Sequence, residues 1–200
     1  MFDVICVTNR KLCKDDFFQR LSRIAKSDVN KIILREKDLS EEDYFNLAEK
    51  ALEIGPEFNK EIILHNYLSV AKRLSQAKIH LPLSVLKNCK DIKKDFDIVG
   101  TSVHNILELK LAENLGADYV FAGHIFKTDC KRDLEPKGTE FLQSICDNSN
   151  IPVYAIGGIN LDTVSKLKSI NSKNFKGVCI MSEFMTCDNP INFAKEYLKI

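Results

Sequence analysis

Residues 116–138 read GADYVFAGHIFKTDCKRDLEPKG. The apolar run Tyr119-Val120-Phe121-Ala122 stops at Gly123 and delivers His124 just past its end. A polar loop follows with Thr128, Asp129, Cys130 and Lys131. A buried strand ending in glycine, histidine and a lysine-bearing loop is how α/β enzymes present catalytic groups. Outward from this stretch the same pattern recurs. Strand-like runs fall at residues 3–7, 31–35, 61–65, 76–81, 97–103, 118–123, 152–156 and 177–181. They are apolar along their length rather than alternating, which predicts parallel strands covered on both faces. The run at 97–103 is the weakest, with Gly100 and Thr101 inside it.

Helical segments fill the gaps. Ser40 precedes Glu41, Glu42 and Asp43, a capped and acidic first turn, and Tyr44, Leu47, Ala48, Ala51 and Leu52 share one face until Gly55-Pro56 ends it. Asn105 with Glu108 opens another helix that stops at Gly116; Asn160 and Asn189-Pro190 open two more. Segments 15–26, 67–74 and 139–146 are helix-like, and residues 84–90 hold a turn or two. Eight strands, each followed by a helix or short equivalent, predict an α/β protein with a single (β/α)8 TIM barrel over residues 1–200.

Composition excludes several classes. Apolar residues make up 44% of the chain, ample for a core, and 29 Lys+Arg against 28 Asp+Glu leave the net charge near zero. That balance gives no reason to expect a nucleic-acid partner. No apolar run approaches the ~20 residues of a bilayer span, and the first residues lack a signal-peptide pattern. The seven cysteines are odd in number, with no CxxC pair. They predict a reduced, cytoplasmic protein without structural zinc, in which Cys130 is a bystander.

In a barrel the active site lies at the carboxyl ends of the strands. All four histidines, His65, His80, His104 and His124, fall there. Any single one reads as a hydrogen-bonded strand-end residue, the preferred reading for His65 and His80, but the set points to a catalytic barrel. Gly157-Gly158 follows the seventh strand and precedes the helix at Asn160, a setting in which backbone N–H groups approach an anion. The competing explanation is a tight turn that needs glycine for its dihedrals. Ser182 adds donors after strand eight, and Arg35, Lys37 and Lys131 add positive charge, together describing a site for a phosphorylated small substrate.

The motifs VTNR at 7–10, LREKD at 34–38, SVH at 102–104, GADYVFAGHIF at 116–126, IPVYAIGGIN at 151–160 and Ser182 run in the order seen in the thiamine phosphate synthase/TenI superfamily, which the whole chain resembles. The resemblance implies a (β/α)8 barrel acting on a thiazole phosphate. The synthases of the superfamily couple a pyrimidine diphosphate to that thiazole phosphate and hold Mg²⁺ with two aspartates. Here those positions carry Asn66 and Val85. The stretch from Gly123 to Lys131, GHIFKTDCK, instead resembles the thiazole tautomerase TenI.

The expectation is therefore an isomerase, a thiazole tautomerase of thiamine biosynthesis that moves a proton from ring C2 to the exocyclic carbon, without cofactor or metal. His124 is the expected general acid/base, because histidine titrates near neutrality. Gly157, Gly158 and Ser182 are assigned to the substrate phosphate, Lys131 and Ser102 to the carboxylate or ring substituents, and Arg35, Lys37 and Thr128 to the mouth. Two other readings stay open: a retained thiamine phosphate synthase, and a non-catalytic regulatory protein that keeps the thiazole phosphate pocket. The sequence is compatible with a homo-oligomer and predicts neither a nucleic-acid nor a membrane partner.

Overall fold

The computed structural model describes residues 2–128 and 134–198. Eight parallel strands close into a barrel in sequence order: β1 Asp3–Val7, β2 Lys31–Leu34, β3 Glu61–His65, β4 Lys78–Pro82, β5 Ile98–Val103, β6 Tyr119–Gly123, β7 Val153–Ile156 and β8 Phe175–Ile180. The helices between them are α1 Phe17–Ala25, α2 Glu41–Glu57, α3 Leu68–Arg73, α4 Leu83–Leu86, α5 Ile106–Asn114, α6 Gly138–Asn148, α7 Leu161–Val164, α8 Ser182–Thr186 and α9 Pro190–Tyr197. Among the described residues no helix is long and apolar enough to cross a membrane.

The unbroken apolar runs have a direct cause. Side chains alternate along a strand, so each strand feeds two cores. Val4, Cys6, Ile32 and Leu34 pack outward against helix residues such as Leu21, Ile24, Tyr44 and Ala48. Ile5, Val7, Ile33, Ile63, Tyr119, Phe121, Tyr154 and Cys179 fill the barrel interior. Each such side chain, fully buried, contributes about 1.5–3 kcal/mol. The six described cysteines are free thiols. Burial pushes Cys6 and Cys179 well up and Cys146 to about 12, which leaves them unreactive near neutrality.

Caps define the helix starts. Asp16, Ser40 and Asn105 accept from the backbone N–H groups of Gln19, Asp43 and Glu108, and Asn160 forms a reciprocal capping box with Thr163. One expected terminus is corrected. The helix does not stop at Gly55-Pro56 but runs to Glu57, with both residues in its last turn. The stop comes at Asn59, in the left-handed region at φ 53, and the N–H of Lys60 then donates to the Gly55 carbonyl at 2.8 Å. The fourth strand begins later than expected, because Gln76 still donates to Ala71 after Ser75 turns at φ 53.

Gly100 also acquires a reason. A Cβ there would stand 2.0 Å from Cζ of Tyr119, so the missing side chain is the space that the Tyr119 ring occupies. What weakened the strand signal is a packing requirement of the interior.

Candidate active site

A cavity of about 850 Å³ opens at the carboxyl ends of the strands. Its floor is the upper layer of the barrel interior, including Val7, Ile33, Phe121 and Cys179. Arg35, Lys37, Ser102, His124, Thr128, Gly157, Gly158 and Ser182 all line it, as do His65, His80 and His104. Lys131 lies outside the described residues.

The loop bearing His124 is held by its neighbours. The N–H of Ile125 donates to the Ile156 carbonyl at 3.0 Å, and that of Phe126 to the Gly157 carbonyl at 2.9 Å. The His124 carbonyl accepts from Lys137 at 3.1 Å. On the ring, Nε2 stands 3.2 Å from the Leu134 carbonyl. A carbonyl only accepts, so in this contact it is Nε2 that carries a hydrogen, leaving Nδ1 as the other polar atom of the ring. That Nδ1 is buried without a hydrogen-bond partner among the described residues.

Gly157 and Gly158 have φ of 97 and 66, in the region that favours glycine. Close approach is a second reason for both. A Cβ on Gly157 would lie 2.3 Å from Cβ of His124, and one on Gly158 would lie 2.3 Å from the Lys127 carbonyl oxygen. The pair therefore seats the loop after β6 against the loop after β7, whatever else it does.

Strand-end contacts set the opposite wall. Glu36 is buried and accepts from Thr8 Oγ1 at 2.7 Å and from the Arg10 N–H at 3.0 Å. Thr8 Oγ1 in turn accepts from the Arg35 N–H at 2.9 Å, so Glu36 ties β1 to the backbone that carries Arg35. The Tyr44 hydroxyl bonds the Leu34 carbonyl at 2.6 Å and the His65 N–H at 2.9 Å, fixing the ends of β2 and β3. Glu36 stands within the LREKD stretch at 34–38 and drew no role from the sequence, because its partners lie 26–28 residues away.

His80 lines the cavity and is buried. Its Nδ1 is 3.2 Å from the Tyr119 hydroxyl and its Nε2 is 3.1 Å from Ser102 Oγ. Its ring packs on Phe121, 4.2 Å between centroids, and stacks with His65 at 5.7 Å. The expectation that His80 is a hydrogen-bonded strand-end residue matches this geometry. Burial first, then the charge of Lys37, lowers His80 to about 3. Burial, then His80, Lys37 and Arg35, holds His65 well below the usual range. Both rings are neutral at physiological pH.

Among the described residues, the carboxylates that line the cavity, Glu108 and Glu183, are committed elsewhere. Glu108 accepts from the His104 N–H at 2.7 Å and pairs with its Nδ1 at 3.1 Å. Glu183 accepts from the Tyr197 hydroxyl. Among the described residues no group of three His, Cys, Asp or Glu side chains could hold a metal ion. Of the two positions where the superfamily's synthases carry aspartate, Val85 packs against the outer core, and neither Val85 nor Asn66 lines the cavity. A hard divalent cation needs anionic oxygen ligands. These residues do not fit one.

The family model described as thiamine monophosphate synthase matches residues 4–184. A thiamine-phosphate synthase of Fusobacterium nucleatum is 33% identical over 186 residues, 92% of this chain and 89% of that protein. A putative thiamine-phosphate synthase 2 of Aquifex aeolicus is 31% identical over 90% of this chain and 95% of its own. The solved structure of a thiamine phosphate pyrophosphorylase from Pyrococcus furiosus superposes with a TM-score of 0.82 at 24% identity, covering 99% of this chain and 94% of that one, and shares the barrel fold.

These relatives overturn the expectation of an isomerase. The two sequence relatives are named as thiamine-phosphate synthases, which are transferases, and neither carries a tautomerase name. The tautomerase assignment weighted one loop and two substituted positions above similarity that spans nearly the whole chain. The chain belongs to the thiamine monophosphate synthase family, within the thiamine phosphate synthase/TenI superfamily.

Proposed function

We propose that this protein is a thiamine-phosphate synthase, a transferase that couples a pyrimidine diphosphate to a thiazole phosphate and releases pyrophosphate. The observation that carries the reading is the 33% identity over 92% of the chain to a protein of that name. The site is compatible with it. An aromatic and aliphatic interior, Phe121 and Ile33 with the faces of His65 and His80, suits flat heterocycles, and a basic rim suits their phosphates.

In this reading the diphosphate leaves with the electrons of the bond it gives up, and its charge grows in the transition state. Arg35 and Lys37, with Lys87 also lining the cavity, are the groups we assign to that charge. The thiazole phosphate is assigned to the edge formed by Gly157, Gly158 and Ser182, with Thr128 beside it and Lys131 as a further cation. Ser102 and His124 are assigned to the rings. The donor set does not suit a metal ion, so the charge of the leaving group falls to these cations. The free thiols and the pathway support the cytoplasm as its compartment.

The test is incubation with both substrates, with and without Mg²⁺, following pyrophosphate by a coupled assay and thiamine phosphate by fluorescence after oxidation. Stoichiometric appearance of both products is expected. Absence of both under every condition overturns the assignment.

A further inference from the structure

We propose that Tyr119 and His80 are positioning residues that set Ser102 as a hydrogen-bond donor to a lone-pair acceptor on a heterocyclic substrate. Naming the heterocycles rests on the synthase reading; the relay itself rests on geometry. Tyr119 and His80 are both buried, and each end of the His80 ring has one hydroxyl within reach, at 3.2 Å and 3.1 Å. Ser102 is half-buried and lines the cavity.

A neutral imidazole has one N–H and one lone pair, so the two hydroxyls must play opposite roles. If Nδ1 carried the hydrogen, it would donate to Tyr119, whose own O–H would then lack an acceptor among the described residues in a buried site. An orphaned buried donor costs about 1–3 kcal/mol. If Nε2 carries it, Tyr119 donates to Nδ1, Nε2–H donates to Ser102 Oγ, and the Ser102 hydrogen turns to the cavity. The second arrangement satisfies every buried donor. Gly100 makes it possible, since any side chain there would expel the Tyr119 ring.

The consequence is selectivity. Ser102 presents a hydrogen, with one of its lone pairs already used by His80, so the position favours a ring nitrogen or another acceptor over an N–H. Phe121 and His80 supply the flat surface beside it.

The experiment has two arms. Long-range ¹H–¹⁵N correlation on ¹⁵N-histidine-labelled wild type near pH 7.5 reads the His80 tautomer with no ligand or turnover; Nε2–H is expected, and Nδ1–H overturns the proposal. Calorimetric titration with the pyrimidine diphosphate and with the thiazole phosphate then compares wild type, Ser102→Ala, Tyr119→Phe and the double variant. Ser102→Ala is expected to weaken at least one ligand about tenfold, and Tyr119→Phe to have no further effect once Ser102 is gone. Additive losses, or no loss for either ligand, overturn it. A wild type that binds both ligands with the expected pattern yet releases no pyrophosphate sinks the synthase reading and leaves the relay standing.

Discussion

Gly157 lies directly against His124: a Cβ on the glycine would stand 2.3 Å from the histidine Cβ and 2.8 Å from its Cα. Both atoms belong to a loop pinned by backbone hydrogen bonds, so neither can yield cheaply. Gly157→Ala combines left-handed strain at φ 97 with overpacking. A loss of about 2–4 kcal/mol is expected, read by urea unfolding. Turnover should fall as well, because the displaced element is the one that carries His124. A variant with wild-type stability would show that the two loops are not locked together.

Gly100→Ala tests the interior packing. Its Cβ would meet Tyr119 at 2.0 Å, in a region with no room to relax. The expected cost is about 3 kcal/mol, with loss of the His80–Tyr119 contact visible in the histidine ¹⁵N spectrum. Gly138→Ala is the matched control, since φ is +77 but nothing lies within 4 Å of the new methyl. It should cost only about 1 kcal/mol. Equal losses in the two variants would mean that the Tyr119 ring yields to the added methyl at position 100 at little cost.

The barrel was legible because each strand buries both faces, which writes an apolar run such as Tyr119-Val120-Phe121-Ala122 directly into the chain. Helix caps were equally local, as Asn105 and Glu108 show. Legibility ended where partners are distant in sequence. His80 and Tyr119 are 39 residues apart, and nothing near either one announces the other. Gly100 looked like a flaw in a strand because the ring that needs its space belongs to the next strand. The activity was misassigned for a related reason: a local loop around His124 outweighed similarity distributed over the chain.

Glu36 offers a test of the wall that carries Arg35. Glu36→Ala would strand the Thr8 hydroxyl and the Arg10 N–H, both now satisfied by the carboxylate. A loss of about 2–4 kcal/mol is expected, together with a raised KM for the diphosphate substrate. Glu36→Gln retains an acceptor and should recover a large part of both. A KM unchanged in Glu36→Ala would separate the Glu36 network from the placement of Arg35.

Metal removal addresses the substituted positions Asn66 and Val85. With the nearby carboxylates committed to His104 and Tyr197, the charge available to an anion comes from side chains such as Arg35 and Lys37. Pyrophosphate should therefore bind in EDTA within about twofold of its affinity in Mg²⁺, and weaken as salt screens those cations. Lys37→Ala should reduce it about tenfold. Binding that appears only when Mg²⁺ is added would show that this chain completes a cation site by other means.

The buried pair His65 and His80 predicts how stability responds to acid. Both are held neutral in the folded protein, His80 down to about 3, chiefly by burial. In the unfolded chain each titrates near 6.5. Between those values the unfolded state binds more protons, so stability is full above about pH 6.5 and falls as pH drops. At pH 5 the His80 ring contributes a loss of about 2 kcal/mol, and His65 acts in the same direction. Carboxylates add their own losses mainly below that pH, since unfolded aspartate titrates near 3.9. The interval from pH 7 to 5 therefore isolates the histidines. Urea unfolding across it should show a clear downward slope in wild type and a shallower one in His80→Leu, whatever the variant's absolute stability. An unchanged slope in the variant would mean that His80 already takes up its proton in the folded barrel, and that its ring is not sealed from water.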